Sequence, residues 1–130
     1  MNSELKLQAL IERAGKDPEI LAVLLFGSRA RKQESSTSDL DVCLVLLPGR
    51  YNALALFRKR LEYIKDFDLD IHIFQQLPLY IRQRVLKEGK LLFVRDEDLL
   101  YSLAFQTIRA FEHFKPIYRE YLEQVARAGS

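Results

Sequence analysis

Disulfides within the chain are excluded, because Cys43 is its only cysteine. Lying in an apolar run, that thiol reads as a small buried hydrophobe rather than a nucleophile. With only two histidines beside it, the chain holds no Cys/His cluster of the kind that binds zinc. No apolar run reaches the ~18 residues needed to span a bilayer, and no basic segment followed by an apolar stretch opens the chain. A cytoplasmic protein without membrane attachment is expected. A net charge of only +2, with no basic stripe interleaved with aromatics, argues against dedicated nucleic-acid binding. At 130 residues the chain suffices for one core and is too short for two, so a single domain over 1–130 is expected.

What is present concentrates between Leu21 and Asp70. The apolar run Leu21 to Phe26 stops at Gly27, where the lack of a Cβ permits a tight turn and lets a phosphate approach the backbone N–H groups; Ser28 adds a hydroxyl donor. Further on, Asp39-Leu40-Asp41 opens a second strand-like run. Side chains on a strand alternate, so Asp39 and Asp41 share one face while Leu40 and Val42 take the other. Two like charges about 4 Å apart repel by roughly 4 kcal/mol at an effective dielectric near 20, and a divalent cation reverses that sign. Carboxylate and phosphate oxygens suit Mg²⁺, with Mn²⁺ as an alternative. The run Phe67 to Phe74 brings a third acid, Asp70, and only one register buries Leu69, Ile71 and Ile73. Asp68 shares its face by alternation; Asp70 is preferred because Leu69 and Ile71 frame it. Three such acids can hold two cations, one on a triphosphate and one activating an attacking hydroxyl.

These residues give the chain its family likeness. Phe26-Gly27-Ser28-Arg29-Ala30-Arg31, Ser38-Asp39-Leu40-Asp41 and Leu69-Asp70-Ile71 resemble the motifs of the DNA polymerase β nucleotidyltransferase superfamily, most closely its minimal nucleotidyltransferase (MNT) branch. The stretch from Pro78 to Phe93 is similar to the family's helix, glycine and returning strand. Lys32 stands where many relatives carry glycine. The resemblance implies a polymerase β palm-like fold, metal ligation and catalysis by Asp39, Asp41 and Asp70, and nucleotide binding at Gly27 and Ser28. It also implies ATP as donor and a protein hydroxyl as acceptor. Many MNT proteins pair with a HEPN-domain toxin and adenylylate a tyrosine on it, so an antitoxin is the leading expectation. An aminoglycoside-type nucleotidyltransferase and a non-catalytic toxin-binding module are the alternatives.

The scaffold expected around these motifs is α/β, a small mixed sheet backed by helices. Ser3 is a candidate N-cap for a first helix that ends near Asp17-Pro18, and strand one spans Ile20 to Phe26. A short helix from Ser28 would aim its N–H groups at phosphate, with Arg29 and especially Arg31 adding charge. Leu54, Phe57, Leu61 and Ile64 repeat at helical spacing as a core-facing stripe, leaving Arg58, Lys59 and Arg60 as a solvated cationic face. Pro78 and Gly89 bracket another helix, and Lys90 to Val94 form a last strand. His72 is read as structural. Tyr51, Tyr63 and Tyr80 suit either packing or base stacking. A C-terminal helical extension over about 97–127 carries a broad aromatic band, with Pro116 expected to kink or divide it. Its surplus apolar surface marks it as the face for the HEPN partner.

Overall fold

The computed structural model describes residues 3–27 and 40–128. Four strands, β1 (Ile20–Phe26), β2 (Asp41–Leu46), β3 (Asp70–Ile73) and β4 (Lys90–Val94), form one mixed sheet in the order β3-β2-β1-β4. β1 runs antiparallel to both β2 and β4, whereas β2 and β3 are parallel. A parallel neighbour needs a crossover, supplied by α2 (Ala53–Asp66). The two central strands are covered on both faces and read as continuous apolar runs, while edge strand β3 alternates half-buried and buried residues.

One face of the sheet packs on α1 (Ser3–Lys16) and α2, burying Leu10, Ala14, Val23, Val42, Leu56 and Ile71. The other face lies beneath α3 (Leu79–Glu88) and the start of α4 (Glu97–Ala128), around Leu24, Cys43, Val45, Phe74 and Val85. Cys43 is fully buried, and burial pushes its thiol pKa up, as expected for a small hydrophobe. Arg95 locks the layers together: its guanidinium donates to the carbonyls of Ile20 (2.8 Å), Ala14 (2.9 Å), Asp17 (2.9 Å) and Gly15 (3.1 Å). Ala14 and Gly15 lie in the last turn of α1, whose carbonyls lack donors within the helix, and the Ala14 carbonyl also accepts from the Asp17 N–H at 3.1 Å.

Three expectations are corrected. Leu54, Phe57, Leu61 and Ile64 face solvent, 39–54% exposed, and α2 instead buries Leu56 and Tyr63. Lys59 belongs to that inner side, paired with Asp17 (3.0 Å), Glu19 (2.9 Å) and Glu62 (3.7 Å), while Arg60 donates to the Ile71 carbonyl at 2.7 Å. Tyr63 is wholly buried and donates to Asp17 at 2.8 Å, Tyr51 donates to the Leu47 carbonyl, and Tyr80 stacks on Tyr118. Finally, α4 runs unbroken through Pro116. The proline leaves the Glu112 carbonyl without its helical donor, but Glu112 lies on an exposed stretch where water can serve. A smaller difference is that Ser3, the candidate N-cap, lies within α1. Among the described residues no helix is long and apolar enough to cross a membrane.

Candidate active site

The sheet brings two of the expected acids into direct register. Asp41 pairs with Asp70 across the parallel β2–β3 ladder, and the Asp70 N–H donates to the Leu40 carbonyl at 3.1 Å. Burial of Ile71 and Ile73 on the α2 face leaves Asp70 and His72 on the opposite one, the face of Asp41. Asp68 takes no part: its side chain is 97% exposed and bonded to Lys6 at 3.2 Å.

His72 joins this cluster, in contrast to its reading as a structural residue. Its Nε2 lies 3.1 Å from Asp70 Oδ1 and 3.7 Å from Asp41 Oδ1, and its ring meets Phe26 edge-on, centroids 5.4 Å apart. One ligand atom from each of Asp41, Asp70 and His72 lies within 4.8 Å of the others. Strand alternation alone put His72 on the acids' face; the turn of its ring back toward Asp70 had no counterpart in the sequence.

The pair of carboxylates divides its charge unequally. Burial, reinforced by a hydrogen bond to Asp70 and repulsion from it, raises Asp41 to about 6. At Asp70 burial acts in the same upward direction, but the hydrogen bond from Asp41 and the proximity of His72 and Arg60 outweigh it and hold the group below its ordinary value. In effect the second ionisation of the pair is deferred to about pH 6, because the two acids cannot both ionise cheaply.

Gly27, at φ +88°, completes the corner. A Cβ there would lie 2.2 Å from Asp41 Oδ2 and 3.0 Å from its Cγ. The glycine therefore clears the space that the Asp41 carboxylate fills, a requirement additional to the phosphate approach expected of it. Beside it opens a cavity of about 170 Å³ lined by Phe26, Gly27, Ile81, Arg84, Val85 and Glu88. Arg84, 3.7 Å from Glu88, is a cation in this corner that no sequence motif marked. Asp39, Ser28, Arg29, Arg31 and Lys32 lie outside the described residues.

The family profile described as "Polymerase beta, Nucleotidyltransferase" matches residues 8–98, a span that contains every element of this corner. The chain belongs to that nucleotidyltransferase family. A Methanocaldococcus jannaschii protein, named by inference as a protein adenylyltransferase, is 32% identical over 81 residues. The match covers 62% of this chain and 62% of that relative's length. A chain of a toxin–antitoxin crystal structure with AMP-PNP superposes with a TM-score of 0.70 at 20% identity, covering 96% of this chain and 99% of that one. Another, from tri-AMPylated Shewanella oneidensis HEPN toxin in complex with MNT antitoxin, gives 0.68 at 19% identity, covering 95% and 98%. At these identities the structural likeness is one of fold, including the long final helix.

Proposed function

We propose that this chain is a cytoplasmic, divalent-metal-dependent adenylyltransferase of the MNT kind, moving AMP from ATP to a tyrosine hydroxyl of a HEPN-domain toxin and so acting as its antitoxin. The observation that carries this reading is the pairing of Asp41 with Asp70 on one rung of the sheet beside Gly27. Two half-buried acids this close repel one another when both are ionised, and a cation relieves that repulsion. The donor set fits the group: the carboxylate oxygens of Asp41 and Asp70 meet on one rung of the sheet, and hard divalent cations take oxygen donors.

Asp41 and Asp70, together with Asp39, would hold two Mg²⁺ ions, with Mn²⁺ an alternative. When bound, the metal neutralises the triphosphate and lowers the pKa of the acceptor hydroxyl. The chain's own groups supply position. Gly27 lets phosphate approach the backbone, Ser28, Arg29 and Arg31 are proposed to bind it, and Asp70 receives the proton of the acceptor hydroxyl. That hydroxyl attacks the α-phosphorus in line; the new O–P bond forms as the bond to pyrophosphate breaks.

The partner face proposed is α4. Tyr101, Phe105, Ile117 and Tyr121 are each more than 60% exposed, and Tyr80, Phe114, Ile117, Tyr118 and Tyr121 line a groove of about 440 Å³. The test co-expresses the chain with its HEPN partner and supplies ATP labelled on the α-phosphate. Label should enter the partner, and Asp41→Asn combined with Asp70→Asn should abolish labelling while the two proteins still co-purify. Labelling that survives this double change refutes the mechanism.

A further inference from the structure

We infer that His72 is itself a metal ligand through Nε2, and that this nitrogen makes the Asp41–Asp70 site prefer a first-row transition ion such as Mn²⁺ over Mg²⁺. The inference rests on the metal-site reading above and adds to it a residue and a selectivity. Octahedral ions hold donors at about 2.1 Å, which places neighbouring donor atoms about 3.0 Å apart and opposite ones about 4.2 Å apart. The separations of Nε2 from Asp70 Oδ1 (3.1 Å) and from Asp41 Oδ1 (3.7 Å) fall between these limits. With one ligand atom of each residue within 4.8 Å of the others, the three side chains are close enough to converge on a single ion by side-chain adjustment.

The ring is held for this task. His72 shares the acids' face of the sheet, and the edge-on contact with Phe26, at an interplanar angle of 68°, restrains its rotation. Little side-chain freedom is left to lose on binding. Cys43, the register partner of His72 on β2, does not compete, because burial keeps its thiol protonated. To coordinate, Nε2 must offer its lone pair, so the ion takes the place of the hydrogen bond that Nε2 makes to Asp70. Mg²⁺ favours oxygen donors and sheds water reluctantly, whereas imidazole suits first-row transition ions; the nitrogen thus favours the latter selectively.

Electron spin-echo spectroscopy of the full chain loaded with Mn²⁺ tests the contact without recourse to activity. Nitrogen coupling to the bound ion is expected, shifting when the histidines carry the heavier nitrogen isotope, lost in His72→Gln and retained in His113→Gln. By calorimetric titration His72→Gln should weaken Mn²⁺ binding at least about tenfold and Mg²⁺ binding less than about twofold. Bound Mn²⁺ without nitrogen coupling in the unaltered chain overturns the assignment of His72 and leaves the carboxylate site standing, as do equal losses for the two metals. Failure of the unaltered chain to bind Mn²⁺ overturns the metal-site reading and this inference together. The isotope measurement uses the native sequence, so a poorly folded variant does not blur the result.

Discussion

Replacing Gly27 by alanine should separate the stability of this fold from the competence of its site. The residue sits at φ +88°, where an L side chain costs about 1–2 kcal/mol. Its new Cβ would meet Asp41 Oδ2 at 2.2 Å, a distance that no real methyl group holds. The obstacle is the end of a half-buried side chain, so Asp41 can swing away at a further cost of about 0.5–1.5 kcal/mol for an unfavourable rotamer. The total, about 1.5–3.5 kcal/mol, is a loss that a marginally stable domain can survive. The metal site has no such tolerance, because the displaced carboxylate is one of its central donors. Metal affinity should fall by at least about tenfold, as for a disturbed ligand set. Urea denaturation of the metal-free protein reads the first effect and calorimetric titration with Mn²⁺ the second. A Gly27→Ala protein that is folded and binds Mn²⁺ as tightly as its parent would refute the claim that this glycine makes room for Asp41.

Two further outcomes follow from the charges. With Asp41 raised to about 6, a proton occupies the site below that pH and must be displaced, so metal affinity should climb as pH rises through about 6 and level off above it. Titration across this range checks it, and Asp41→Asn should remove the inflection. Lys59→Met should cost about 1–3 kcal/mol at neutral pH by stripping Asp17 and Glu19 of their shared cation. Because Lys59 and Tyr63 help hold Asp17 below its ordinary value against the opposing effect of burial, Asp17's stabilisation is complete above the usual carboxylate range and lost as pH falls through its folded value. Thermal melts of the variant should accordingly depend less steeply on acid pH than those of the parent.

The strands were legible because burial dictates their composition. β1 and β2 lie at the centre of the sheet and are apolar apart from Asp41 at the head of β2, and β3 could bury Ile71 and Ile73 in one register alone, which placed Asp70 beside Asp41. α2 misled for the opposite reason. It offers two apolar sets, Leu54, Phe57, Leu61 and Ile64 against Leu56 and Tyr63, and the smaller set is the one buried. What tips the balance is non-local: Asp17 supplies partners for Tyr63 and Lys59 from a turn more than forty residues upstream, invisible to helical periodicity. For His72 alternation gave the shared face with Asp70, and with it the chance of tuning that carboxylate, but not the direction in which the ring turns. Arg95, lacking any motif, is the fastener between α1 and β1.

The spacing between the two central carboxylates is inherited from the ladder of backbone hydrogen bonds, not set by the loops around them. Lengthening or shortening the connection before β3 can be absorbed, but a slip of one residue in that edge strand would present Leu69 or Ile71 where Asp70 now stands. The same slip would turn Ile71 and Ile73 out of the core, so the site and the packing of the edge strand stand or fall together. A single rung of the sheet thus carries both the seating of the edge strand and the meeting of the two carboxylates.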